Sequence, residues 1–258
     1  MSKASFFLVY SRGRYFEAFA KMLFNYSSMN QYLRMAVMFI GLGLFLSSVS
    51  VNDAIAQNIL GDILHRMDVH NKALQSLQAE VTMAKYNSQL GGEPDITFGS
   101  TSYLLKGKRY VRIDWIKPVE EHISVIGDDY ELWRPRLNQV MWGKADKAKN
   151  NASAGGALSF MNMSKAELTA NYSVVYIGRE KISGGAETSH IQLAPKVAAN
   201  YKLAELWVDD NGMPRQARIT EQNNDTTAIL LTNIQKNVTL NAKIFTLEYD
   251  PKKVKRVP

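Results

Sequence analysis

The chain has no cysteine in 258 residues. That excludes disulfides, thiolate metal sites, a cysteine nucleophile and acylation on an N-terminal cysteine. It has few histidines, four in all: His65, His70, His122 and His190. They are scattered, and a spacing of five between His65 and His70 is poor for holding one metal from one helix face. No G-x-S-x-G, H-E-x-x-H or P-loop occurs, so the sequence gives no enzyme signature and implies neither a cofactor nor a metal. No run of five like charges is present, although the net charge is +7 and the pI about 9.4. A nucleic-acid surface needs clustered cations with stacking aromatics, so nucleic-acid binding is not expected. The Asp128-Asp129 and Asp209-Asp210 pairs and the Gly-Gly pairs at 91, 155 and 184 read as turn chemistry.

One apolar run stands out, Met35–Val49, with Arg34 before it and Ala54-Ile55-Ala56 after it. A cation, a short apolar stretch and an A-x-A site read together as a secretory signal peptide cut after Ala56. A run of about fifteen residues is short for a bilayer core of ~30 Å, which makes a membrane anchor the second reading. Residues 1–34 are an overlong leader, so the start is expected at Met29 or Met35; an early amphipathic membrane helix is the alternative. The expected organisation is a signal segment, 1–56, and one domain, 57–258. Removing five Lys/Arg and two acids from the +7 total leaves that domain at +4.

Within 57–258 the hydrophobic period changes once. Ile59, Leu60, Ile63, Leu64, Met67, Leu74 and Leu77 recur every three or four residues and predict a helix over 57–78. Period two then takes over. Strands are expected at 79–90, 95–105, 108–115, 122–126, 130–133, 139–142, 172–182, 189–193, 202–208, 214–221, 226–235 and 244–249. Asp146–Ala157 is small and polar and reads as a loop, followed by one or two short helices over Leu158–Ala170. Asp210-Asn211-Gly212 and Asn223-Asn224-Asp225 are hairpin signals. The pattern gives a mainly β fold with some α. About 11–12 strands form a single curved antiparallel sheet, an incomplete β-barrel, covered by an N-terminal helix and a short helical lid.

The 108–115 strand is amphipathic with one exception. Val111, Ile113 and Trp115 share a face with Arg109, so period two puts a guanidinium on the apolar side. Such a group either snorkels to water at the rim or hydrogen-bonds whatever covers that face. Trp115, Trp133, Trp142 and Trp207, with the methionines, suit either an ordinary core or an adaptable apolar lining.

The segment Lys108-Arg109-Tyr110-Val111-Arg112-Ile113-Asp114-Trp115 is followed by Pro118, by Ile123-Ser124-Val125-Ile126-Gly127-Asp128, and by Leu132-Trp133-Arg134-Pro135. Together these resemble the outer-membrane lipoprotein carrier family, LolA-type. Ala157-Leu158-Ser159-Phe160-Met161 resembles that family's apolar lid helix, Leu206-Trp207-Val208-Asp209 its late strand, and Phe245 its closing strand. The chain departs from the pattern at Gly127-Asp128-Asp129 and in lacking a Tyr before Pro135. The resemblance implies a monomeric periplasmic carrier that takes the acyl chains of lipoproteins into its cavity and moves them from the inner to the outer membrane. It implies as partners acylated lipoproteins, an inner-membrane lipoprotein-releasing ABC transporter and an outer-membrane acceptor. The acceptor itself has a similar fold but an acylated cysteine, which this chain cannot supply. Arg109 matches the family's lid-bonding arginine. Val111, Ile113, Trp115, Trp133, Leu158, Phe160, Met161 and Met163 are the expected cavity and lid residues. A periplasmic regulatory protein of the same broad fold, binding lipid or a signalling protein, is the alternative.

Overall fold

Alternating sequence makes a sheet with one apolar face, and that face must be covered. In the computed structural model the cover is a helix, α1 (Ser50–Ala73). The structure describes residues 50–144, 161 and 163–257. The chain divides into two compact units, 1–56 and 57–258, and the second carries every described strand. After α1 come β1 (Ser76–Tyr86), β2 (Asp95–Lys106), β3 (Lys108–Lys117), β4 (Glu121–Ile126), β5 (Asp129–Arg134) and β6 (Gln139–Lys144). A short helix, α2 (Lys165–Asn171), precedes β7 (Tyr172–Lys181), β8 (Glu187–Pro195), β9 (Tyr201–Val208), β10 (Pro214–Glu221), β11 (Thr226–Lys236) and β12 (Lys255–Val257).

The twelve strands form one curved sheet in the order β12-β6-β5-β4-β3-β2-β1-β11-β10-β9-β8-β7, open between its two edges. β1 is therefore central, pairing with its neighbour β2 and with the distant β11. Two cross-strand rows define the inner face. Ala79, Thr101, Ile113, Ile123, Leu132 and Met141 run from β1 to β6. Met83, Ile229, Ala217, Leu206, Ile191 and Tyr176 run from β1 to β7. On this face lies the core, into which α1 inserts Ile63, Leu64 and Met67, exposed by 0%, 3% and 0%. The three- and four-residue spacing that predicts the helix is the spacing of these buried positions.

The β9–β10 turn holds α1 in place. Gly212, at φ +80°, backs onto the helix so closely that a Cβ there would lie 2.2 Å from the Arg66 carbonyl oxygen. Arg66 Nη1 donates to the Asp210 carbonyl at 2.8 Å, and the Asp209 carboxylate accepts the amides of Asn211 and Met213. The hairpin signal at 210–212 thus serves as the clamp of the covering helix.

The structure corrects four expectations. α1 ends at Ala73, because Ser76 and Leu77 already belong to β1; Leu77 is apolar for the sheet and not for the helix. The 244–249 stretch is not a strand. It begins with a 3₁₀ turn at Ala242–Phe245 and crosses the outer face of β3 and β4, where Ser124 Oγ donates to the Phe245 carbonyl and Arg112 to that of Ile244. Phe245, fully buried, is the apolar residue that pins this strap. The twelfth strand is Lys255–Val257, and it pairs with β6 in parallel, the one exception to antiparallel order among the described strands. Finally, Trp133 faces outward. Leu132 takes the inner face by pairing with Ile123, so alternation sends the indole beneath the strap, stacked on His122 at 5.2 Å and 6.1 Å from Tyr249. Of the expected lid helices, α2 is described, with a capping box between Ser164 and Glu167 and Leu168 wholly buried. The Asp146–Ala157 loop, Leu158 and Phe160 lie outside the described residues.

Candidate functional site

Between α1 and the inner face a cavity of about 50 Å³ remains. α1 supplies His70 and Asn71 to its wall, and Leu74, just past the end of the helix, joins them. The sheet supplies Leu77, Thr101, Tyr103, Val111 and Leu231, and Met161 and Met213 close it. Pockets that hold drug-sized ligands measure about 300–1,000 Å³, so this cavity is the closed form of any larger one. Enlarging it means moving α1, or the segment carrying Met161 and Met163.

That segment is tied down by a bond the sequence did not signal. Asn71 Nδ2 donates to the Met163 carbonyl at 3.1 Å. Met161 is 4% exposed and belongs to the core, and Met163 packs against it half-buried. Asn71 is polar on the helix face that the apolar period marks as inward, and that mismatch is the one sign that it has a partner.

The inner face brings Val111, Ile113 and Trp115 together with Met161 and Met163. Ile113 and Trp115 are each 3% exposed, and Val111 lines the cavity directly. Arg109 pairs in register with Leu105 at the same end of the sheet, two residues along from Val111. It is half-buried, and its charge bears on the Tyr103 hydroxyl, whose pKa burial pushes up and Arg109 pulls down. Among the described residues Arg109 makes no side-chain hydrogen bond or ion pair. Trp133 does not join this group, as its stacking on His122 requires.

His70 is a deeply set polar residue of the cavity wall. It is 8% exposed, and its Nε2 is buried with no hydrogen-bond partner among the described residues. Burial holds its pKa below the ordinary histidine value; the Lys236 charge acts in the same direction and the Asp209 charge against it.

A buried charge lies across the sheet, on the outer face. Glu205 accepts Arg218 Nε at 2.6 Å and Nη2 at 2.8 Å, and sits 3.1 Å from His190 Nε2. His190 stacks on Trp207 at 4.3 Å, and the Trp207 indole N–H donates to Glu180 at 2.6 Å. Burial pushes the Glu205 pKa up, but the bonds and charge of Arg218, with His190, outweigh it and hold the carboxyl below its usual range. Each member is satisfied, which marks a structural network. Among the described residues no group of three or more His, Asp or Glu is placed to hold a metal ion.

Several solved structures are similar to this chain. A putative outer membrane lipoprotein-sorting protein domain from Vibrio parahaemolyticus is 12% identical with a TM-score of 0.41, over 71% of this chain and 94% of that one. A LolA superfamily protein from Nitrosomonas europaea is 17% identical with a TM-score of 0.39, over 74% and 97%. The MucA/MucB complex of Pseudomonas aeruginosa gives 12% identity and a TM-score of 0.48, over 76% and 62%. No curated protein sequence matches the chain. Residues 101–248, more than half of the chain, match the model of the family described as outer membrane lipoprotein carrier protein LolA. With its open curved sheet, its helix-covered apolar face and this match, the chain belongs to the LolA family.

Proposed function

We propose that this protein is a periplasmic carrier that shields the acyl chains of lipoproteins between α1 and the inner face of the sheet, and carries them from the inner to the outer membrane. The segment before Gln57 is then an export signal. A lipoprotein-releasing ABC transporter would load the carrier, and an outer-membrane acceptor would empty it.

The observation that carries this reading is the apolar inner face, continuous from β1 toward both edges, under a cover that closes over a cavity of about 50 Å³. Exposing one ~16-carbon chain to water costs roughly 12 kcal/mol at ~0.8 kcal/mol per CH₂. Among the described residues a handful of polar bonds hold the cover, such as Asn71 to Met163, Arg66 to Asp210 and Asn237 to the Ala73 carbonyl, each worth about 1 kcal/mol net. Entry of an acyl chain therefore supplies more free energy than those bonds withhold, and the cover closes again after delivery. The Met161 and Met163 thioethers, flexible and polarisable, suit a wall that repacks.

The test is mass spectrometry of what copurifies with the protein from periplasmic extract. Acylated lipoprotein or free acyl lipid in stoichiometric amount is expected. Recovery of a non-acylated protein partner and no lipid would overturn the carrier reading in favour of a regulatory one.

A further inference from the structure

Resting on the carrier reading, we propose that His70 recognises the carbonyl group at the head of the acyl chain, so that the site selects ester- or amide-linked chains over plain alkyl ones. His70 stands at the C-terminal end of α1, beside a wall that is otherwise largely apolar, and its buried Nε2 has no partner among the described residues. A buried polar atom left unpaired is costly, and native structures rarely keep one without a use.

The other polar groups of the wall are differently placed. Thr101 already donates its hydroxyl to the Arg112 carbonyl, and Asn71 donates to Met163. Tyr103 makes no hydrogen bond among the described residues, and it adds a second hydroxyl on the sheet side of the same cavity. A neutral imidazole has one N–H and one lone pair. With Nε2 protonated it is a donor facing an apolar space, and a carbonyl oxygen is the acceptor that an acyl chain brings there. The thioether and methylene groups of Leu74, Leu77, Met161 and Met213 would then surround the first carbons beyond it.

Two probes isolate the carbonyl: 1-monopalmitoyl glycerol, an ester, and 1-O-hexadecyl glycerol, the ether of equal chain length without a carbonyl. Each is titrated against the full mature protein by competition with a fluorescent fatty-acyl reporter. The wild type is expected to bind the ester about tenfold more tightly than the ether, the factor given by about 1.4 kcal/mol. His70→Leu should abolish that preference, read as the ratio of ester to ether affinity within each protein, and His70→Gln, which keeps a donor, should restore part of it. The ¹⁵N signal of His70 Nε2 in the wild type should shift with the ester and not with the ether, a readout that needs no variant. If the wild type binds both probes equally and the imidazole signal stays put, this inference is overturned and the carrier reading survives. If neither probe binds, the carrier reading fails and this one falls with it.

Discussion

Replacing Gly212 by alanine should unseat the covering helix. The added Cβ would meet the Arg66 carbonyl oxygen at 2.2 Å, its carbon at 2.4 Å and the Met67 nitrogen at 2.8 Å, where ordinary contact begins at 3.4 Å. All three are backbone atoms, so the turn and α1 must separate by about 1 Å. A left-handed φ of +80° costs alanine about 1–2 kcal/mol by itself. A gap of that width forfeits a quarter to a half of the dispersion well between facing atoms. Over Ile63, Leu64 and Met67, each worth about 1.5–3 kcal/mol buried, that is about 2 kcal/mol more. The sum, about 3–4 kcal/mol, corresponds to roughly 10 °C in Tm for a domain of this size. Gly92 is the control: its φ is +85° and nothing lies within 4 Å of the added Cβ. Gly92→Ala should therefore cost only the backbone strain, about 2–8 °C. The assay is calorimetric melting, paired with stopped-flow entry of a fluorescent fatty-acyl probe, which should be faster in Gly212→Ala than in Gly92→Ala. Equal melting shifts in the two variants, or equal entry rates, would refute the view that the β9–β10 turn clamps a cover that must move.

Five further outcomes are expected. Asn71→Leu, losing the bond to Met163, should speed probe entry several-fold, whereas Arg109→Leu should take up lipidated cargo normally but hand it to acceptor membranes slowly; wild-type transfer by Arg109→Leu would reduce that residue to a rim cation. Because His70 is held below its ordinary pKa in the folded protein, the unfolded chain binds the proton first. Stability should thus fall as the pH drops through about 6.5, and urea midpoints at pH 7.5 and 5 should differ less in His70→Leu than in wild type. Arg218→Leu leaves the buried Glu205 carboxylate with only His190 and Gln192 beside it and should cost about 2–3 kcal/mol by chemical denaturation; an unchanged midpoint would show the network to be idle. N-terminal sequencing of periplasmic material should begin at Gln57, and retention of residues before Ala54 would contradict export.

The strands were legible where alternation and turn residues agreed. β2, β3, β10 and β11 begin at the residues that the period-two pattern predicts. The C-terminal strap was not legible, because Phe245, Leu247 and Tyr249 alternate like a strand. Phe245 anchors them instead against Tyr110, 5.5 Å away on the outer face of β3. Trp133 misled for a related reason. Its size suggests the main core, but which face it takes depends on the β4–β5 register, fixed by Ile123 opposite Leu132. Asn71 and His70 are invisible to hydrophobic patterning, which averages over single polar residues on an apolar face. Their roles come from Met163 and from cavity-wall residues such as Thr101, Met161 and Leu231, all distant along the chain.

The central place of β1 has a kinetic consequence. Val81 pairs with Leu231, 150 residues along the chain, and closing a loop of that length costs about 4 kcal/mol of chain entropy before any contact offsets it. Half of the sheet, β1 to β6, can assemble from hairpins as the chain becomes available, but its inner face then has only half a neighbour and an unpaired edge at β1. Such an edge invites pairing with other chains. The molecule passes this stage only when β11 arrives, so folding should be slow, in the millisecond-to-second range of sheets rich in distant pairings. Until then, concentration should determine how many chains are lost to aggregation.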